Sequence, residues 1–400
     1  MLKNALEIPE LLDLSIQFLI GSTSDLLSCS LVARSWVEPA QQRLFSAPHR
    51  TNRKLTATEG VIDADAESIR FDRSMRSNPR LATYVRELRL SVADDHFTPY
   101  TQYSTLQRMC AHNFQNLEIL QLVLVNPLIE IQQHVSRLLG YPSLRSLTFV
   151  VNYYKISRWF VCVPLSRLLE GCSPSIQHIH LVYTLPSGVR IDNLNQTVQA
   201  NNRTLIRVKS ARLDFDNIDS SAVYFPFDLS EMQALAILPW RSIPPTIPTS
   251  TVEVLEIEVL NRLPAVDISS FTALKHLRFA ILDRVSAGTI IATLATIPPT
   301  TSIKHICFQC TLPQLSSSYE MSFGDLAKLD PVLADLPFST LPTVEVELCG
   351  NVGDSRETKM LWLKMVRYWF KATMKRISVR LSWRDPQEIS RRWLALVEAI

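Results

Sequence analysis

A mixed α/β chain, helical at its N-terminus and a right-handed solenoid with a parallel sheet thereafter, is what this sequence predicts. Three observations carry the prediction. Residues 8–45 show helix starts, stops and 3.6-residue periodicity without strand alternation. One short apolar pattern then returns along the chain. The segments between its copies are in several cases long enough for the crossover helix that parallel neighbours require.

The first element runs from Pro9 to Ile20. Pro9 suits a first helical position, where its missing N–H is no loss, and Glu10 and Asp13 place negative charge near the positive end of the helix dipole. At 100° per residue, Leu11, Leu14 and Phe18 fall on one face and Leu12, Ile16, Leu19 and Ile20 on another. A helix apolar on two sides is either enclosed or clamped between its own domain and a partner. Gly21 stops it, and Ser22, Thr23 and Ser24 can cap a second helix ahead of Asp25. Leu26, Leu31, Val32 and Trp36 continue the apolar pattern. Pro39 predicts a break near Val37 and Glu38, because a proline inside a helix costs about 3 kcal/mol, with a restart through Phe45. A charged connector follows over residues 51–80, with a predicted helix from Ala64 to Arg76.

From residue 81 onward the pattern is an apolar residue, two positions, an apolar residue, one position, an apolar residue. Copies read VRELRL at Val85, LEILQL at Leu117, LRSLTF at Leu144, IQHIHL at Ile176, MQALAI at Met232, VEVLEI at Val252, LKHLRF at Leu274 and IKHICF at Ile303. Weaker copies begin near Leu205, Leu341 and Met374. Successive starts lie mostly about 20 to 33 residues apart, the range for a strand plus a return segment. Leu128 to Gly140 and Ala287 to Ile297 are predicted return helices. Within each strand, residues two apart share a side, so Leu120 with Leu122 and Leu277 with Phe279 face inward. The alternate positions form the predicted outer face: Ser146 and Thr148, His178 and His180, His276 and Arg278, His305 and Cys307. A second irregular stretch, Pro239 to Pro248, is a predicted rim loop.

The N-terminal order of Pro9-Glu10-Leu11-Leu12, Asp25-Leu26-Leu27, Ser30 to Trp36 and Leu44-Phe45 resembles the F-box of fungal F-box proteins. The family usually has Leu-Pro, one further residue and Glu, whereas here Pro9 adjoins Glu10 and Glu7 stands where the leucine is expected. The resemblance implies a three-helix unit over residues 1–50 that docks on a Skp-type adaptor and so joins a cullin–RING ubiquitin ligase. Carried over by position, Pro9, Leu12, Ile16, Leu19, Leu26, Leu31, Val32 and Trp36 are the expected adaptor contacts, Trp36 alternatively serving the internal core of the helices. The body, residues 81–400, resembles a leucine-rich repeat without the usual asparagine after the strand. It is expected to hold a protein substrate, with His178, His180, His276, Arg278 and His305 as candidate target contacts. The rival reading is a ligase-independent scaffold whose N-terminal helices cap the open end of the solenoid.

Composition narrows the function classes. A 46% apolar chain of 400 residues has ample core, and a net charge of +3 is too small to imply nucleic acid. No run approaches 18 uninterrupted apolar residues, so no transmembrane helix is read, no membrane partner is expected, and an intracellular location in cytoplasm or nucleus is expected. Seven scattered cysteines suit reduced thiols. Neither a glycine-rich phosphate loop, a GxSxG elbow nor an HExxH helix occurs, so no enzyme and no cofactor are expected. Cys307 and Cys310 form a lone CxxC without a second pair, which gives no zinc site. Histidines recur at 178, 276 and 305 in three copies that are not all consecutive, so no metal is expected there either. Residues 356–400 carry eleven Lys and Arg against four acids, at spacings that read as the solvent side of helices.

Overall fold

In the computed structural model of the protein, each of the eight apolar copies leads into a strand two residues after its first apolar side chain. The first residues, Val85, Leu117, Leu144, Ile176, Met232, Val252, Leu274 and Ile303, are all buried. The structure describes residues 12, 14–16, 19, 23–32, 34–46, 64–92, 99–127, 129–153, 163, 165–184, 206–214, 227–237, 249–259, 265–281, 287–298, 302–311, 327–335, 342–349, 360, 364, 366–375 and 379–384. The protein is mixed α/β, with parallel pairing between its strands. Two compact units divide it, Met1–Ile206 with Tyr224–Pro226, and Arg207–Val223 with Phe227–Ile400.

The first unit begins with helical residues at 12 and 14–16, then α1 (Thr23–Val32) and α2 (Arg34–Ser46). The connector helix α3 (Ala64–Ser77) and the short α4 (Leu81–Tyr84) lead into β1 (Glu87–Val92). There follow α5 (Pro99–Cys110), β2 (Ile119–Val125), α6 (Gln132–Leu139), β3 (Ser146–Asn152), α7 (Leu165–Leu168) and β4 (His178–Thr184). The strands are neighbours in chain order, β1-β2-β3-β4. Helix α6 falls within the predicted return segment 128–140, and α3 matches the predicted connector helix.

The second unit contains β5 (Ser210–Asp214), β6 (Ala234–Ile237), β7 (Val254–Val259), β8 (His276–Ile281), α8 (Ala287–Leu294), β9 (His305–Thr311), α9 (Leu329–Asp335), β10 (Thr343–Cys349) and β11 (Val379–Arg384), the strands again parallel and in chain order. Phe279 and Phe308 stack at 5.5 Å between ring centroids, and Phe308 stacks on Phe370 at 5.9 Å. Asp330 in α9 accepts the backbone N–H groups of Ala372 at 2.7 Å and Thr373 at 2.6 Å, tying α9 to the turn that follows the helical residues 366–369. The two weaker copies at Leu205 and Met374 are out of register. Ser210 pairs with Ala234, so that copy starts at Val208, and Val379 rather than a nearer residue pairs with Val344.

Regular backbone hydrogen bonds set the register. In seven copies the carbonyl one residue into the copy accepts two N–H groups from the next, whereas Lys304 O takes only Thr343 N because Pro342 has no N–H. Arg86 O takes Glu118 N at 2.7 Å and Ile119 N at 2.9 Å, and Glu253 O takes Lys275 N at 2.8 Å and His276 N at 2.9 Å. The carbonyls of Glu118, Arg145, Lys209, Gln233 and Lys275 do the same. A turn precedes each copy, closed by the first apolar residue's own N–H: Leu117 N on Phe114 O, Leu144 N on Tyr141 O, Leu274 N on Phe271 O. The residue just before the copy adds a side-chain link to the copy before. Ser143 Oγ lies 2.9 and 2.8 Å from the carbonyl oxygens of Gln115 and Leu117, Ser175 Oγ reaches Leu144 O at 2.9 Å, and Thr251 Oγ1 reaches Met232 O at 2.8 Å.

Pro39 does not break its helix, contrary to the sequence expectation, and α2 continues through it. Trp36, Ala40 and Leu44 follow one another at four-residue spacing on both sides of the proline. All three pack on the cluster of Leu12, Ile16 and Leu26. Burial of that stripe on either side outweighs the lost backbone bond.

Ser143→Ala and Ser175→Ala should each lower stability by about 1 kcal/mol in urea unfolding, since each leaves a carbonyl between copies without its partner. Leu120→Ala, at a buried inward position, should cost about 2 to 5 kcal/mol by the same measurement.

Candidate functional site

Three places present chemistry that the sequence singled out. At the N-terminus, Leu12, Ile16, Leu26 and Ala40 form a closed cluster, with Leu19, Cys29, Trp36 and Leu44 packed against it. Of the eight expected adaptor contacts, Leu12, Ile16 and Leu26 are buried in this cluster, and Leu19 and Trp36 are partly buried against it. The reason is size: short helices can exclude water only by turning their strongest apolar stripe toward one another. Pro9 and the side chains of Leu31 and Val32 lie outside the described residues. What remains outward is the other side. Leu14 is 51% exposed and Leu27 is 52% exposed, and Ser15 and Ser28 beside them are exposed as well.

On the first unit's sheet the alternation expected from the sequence appears as burial. Leu120, Leu122 and Leu124 are buried on one side of β2, while Ile119, Gln121, Val123 and Val125 are half-buried on the other. Register brings Ser146 beside His178 and Thr148 beside His180, so these two candidate histidines stand on the half-open side next to short polar neighbours. Val123, Val150 and Val182 line up across three strands in the row beyond them.

The second unit departs from the expected open face. Register aligns His276 with His305 and Arg278 with Cys307, as the pattern requires. Yet Arg278 is 5% exposed, and Cys307 is buried beside it. Across six successive strands the same row runs Arg212, Ala236, Glu256, Arg278, Cys307 and Glu345, with Gln309 and Glu347 two residues further along their strands. Arg212 Nη1 bonds Glu256 Oε1 at 2.8 Å, Arg278 Nη2 bonds Glu347 Oε2 at 2.6 Å, and Arg278 Nε lies 3.6 Å from Glu256 Oε2. His305 Nε2 is 3.1 Å from Glu345 Oε2. Charges taken out of water need partners. Opposite charges on the same side of the sheet supply them, Arg212 reaching Glu256 and Arg278 reaching Glu347 across one intervening strand while Glu256 lies on the strand next to Arg278, so Arg278 holds acids of its own chain.

His276 and His305 face one another with ring centroids 6.0 Å apart. Burial first, then the His305 ring and the Lys304 ammonium, hold the His276 pKa below its ordinary value, against the opposing pull of Glu253. A different buried ionisable group occurs in the first unit, where Asp72 lies 2.8 Å from His112 Nε2 and pairs with Arg76. Burial works against its charge, but the bonds from Arg76 and His112 prevail and hold its carboxyl below the usual range. The pair joins α3 to the turn after α5. Burial pushes the Cys110 thiol up to about 11, so it stays protonated at neutral pH. Among the described residues, no three His, Cys, Asp or Glu side chains gather closely enough to hold a metal, and no helix is long and apolar enough to cross a membrane. The predicted loop from Pro239 to Pro248 lies outside the described residues.

The charged row was missed in the sequence because each polar residue, taken alone, reads as exposed. Aligning the copies is the signal that finds it, since Arg212, Glu256, Arg278 and Glu345 then alternate in sign. Neither family models nor curated proteins match this chain.

Arg278→Ala should destabilise the protein by about 3 to 5 kcal/mol in denaturant unfolding, because it leaves Glu347 and Glu256 buried without the guanidinium. The pH dependence follows from His276. Its folded pKa is depressed, so the unfolded chain takes up the proton first as the pH falls below about 6.5. Stability contributed by neutral His276 is present above that value and lost below it. His276→Gln should flatten the slope of thermal stability with pH in that window.

Proposed function

We propose that this protein is the substrate-recognition subunit of an SCF-type cullin–RING ubiquitin ligase, its N-terminal helices binding a Skp-type adaptor and its repeat body binding a protein target. The observation that carries the reading is the pair of leucines left in water. A helical unit that closes its own core over Leu12, Ile16 and Leu26 yet leaves Leu14 and Leu27 about half exposed keeps an apolar contact for something else. The motif order from Asp25 to Trp36 supports the same assignment, and the sites of adaptor contact shift accordingly to Leu14 and Leu27. One strand per apolar copy, in parallel chain order, supports a leucine-rich-repeat-like solenoid for the body. The protein would then act by placing its target near the ligase, through the adaptor, the cullin and the RING subunit, with no catalysis of its own.

A second reading has one observation in its favour. Tyr84 in α4 donates to Glu38 in α2 at 3.1 Å, so the N-terminal helices touch the element that opens the first strand. Helices that serve only as a cap for the repeats would make such a contact.

Co-purification with a Skp-type adaptor separates the two. Leu14→Asp and Leu27→Asp should abolish adaptor binding with unchanged thermal unfolding, as an unpaired carboxylate in an apolar contact costs several kcal/mol. Ile16→Asp should instead unfold the helical unit. Full adaptor binding by a folded Leu14→Asp, Leu27→Asp double variant would overturn the placement of the contact at these leucines, and failure of the unaltered protein to co-purify with the adaptor would leave the cap reading in place.

A further inference from the structure

We infer that the exposed face of the helix spanning residues 360, 364 and 366–369, with the turn behind it, is a docking surface for an acidic segment of a protein partner. Val366, Trp369, Phe370 and Thr373 are buried and hold this element to the second unit. The outward side carries Lys364, Arg367 and Lys371, all exposed, around Tyr368, which is 78% exposed, with Met360 and Met374 exposed at either end. An ordinary solvated helix face mixes charges so that acids stand three or four residues from bases. Here the positions three and four away from each cation are Met360, Leu361, Leu363, Tyr368, Phe370 and Met374, or another cation. Lys364 and Arg367 are like-charged neighbours on the helix, which works against it, and Lys371 adds a third cation in the turn just past its end. Among the described residues, none of Lys364, Arg367 and Lys371 forms an ion pair.

The geometry fits a peptide. The helix from Lys364 to Trp369 rises about 8 Å at 1.5 Å per residue, with Lys371 in the turn just beyond, a reach of about three extended residues. The Tyr368 ring lies in the middle as an apolar platform with cations on both sides. An acidic segment with one apolar side chain satisfies charge and ring together. Duplex nucleic acid calls for a broader basic surface than a chain of net charge +3 offers, and a lipid surface calls for bulkier apolar anchors than two methionines. The inference does not rest on the adaptor reading.

The test uses the full chain and a short fluorescein-labelled peptide of aspartate and glutamate with one central leucine, followed by anisotropy. Binding should weaken as salt is raised. A Lys364→Gln, Arg367→Gln, Lys371→Gln variant should lose about tenfold or more in affinity, with unchanged or higher thermal stability because repulsion is relieved. Tyr368→Ala should weaken binding while leaving its salt dependence in place. Absent peptide binding, or equal binding by the triple variant, would overturn the proposal. So would a phosphatidylserine vesicle or a single-stranded oligonucleotide that binds through these three cations when the peptide does not. Adaptor co-purification by the triple variant should be unchanged, which keeps this outcome apart from that of the ligase assignment.

Discussion

A carbonyl accepting two N–H groups from the copy that follows, repeated in seven copies, is the constraint on which the remaining architecture depends. It sits one residue after a fully buried apolar side chain and two residues after a polar side chain that reaches back, as at Ser143 and Ser175. Three adjacent residues thus fix where a strand begins, which way its side chains alternate, and which neighbour it pairs with. A slip of one residue would turn Leu120 and Leu122 outward and bring Gln121 into the core. Everything else on the sheets, including the positions of the histidines and the charged row, follows from that register.

The same register has opposite results in the two units. In the first, the polar side of the strands remains half-open, with His178, His180 and a row of valines available to solvent. In the second, Glu256, Arg278 and Glu347 are withdrawn from water, and the chain answers with ion pairs that reach across the strands of the sheet. Glu347, only 1% exposed, is tolerable because the Arg278 guanidinium bonds it. A buried pair of this kind contributes little net stability by itself, yet either partner alone is strongly unfavourable. Of the residues that read as a recognition surface by alternation in this unit, Arg278 and Cys307 are part of the interior, while His276 and His305 are half-buried.

Much of the fold is legible in the sequence, and the failures have physical causes. Strand positions follow from the eight copies because an apolar residue two places before the strand is also the residue that closes the turn. The copy near Leu205 is misplaced by three residues because Val208, Ala211 and Leu213 fit the same pattern as well. Met374 misleads because Asp330, far away in the chain, holds residues 372 and 373 in a turn ahead of the strand. Pro39 misleads because helix propensity is local while the stripe of Trp36, Ala40 and Leu44 is held by packing. The candidate adaptor face was half legible. Two apolar faces on one helix are visible from periodicity, but which of them closes the domain's own core depends on partners in α1 and α2 that no single-helix pattern contains.

The local anchoring of each copy also bears on how such a chain tolerates change in length. Starts separated by 20 residues, as from Met232 to Val252, and by 32, as from Val85 to Leu117, meet the preceding copy through the same hydrogen bonds. The return segment carries no share in that alignment, and lengthening a loop adds little closure entropy, about 0.6 kcal/mol per doubling. Insertions can therefore accumulate between copies without shifting any strand, whereas one residue added between the turn and the strand moves a whole side of the sheet. The body of this protein is a ruler with fixed marks and elastic intervals, and variation between its marks is free to serve other purposes.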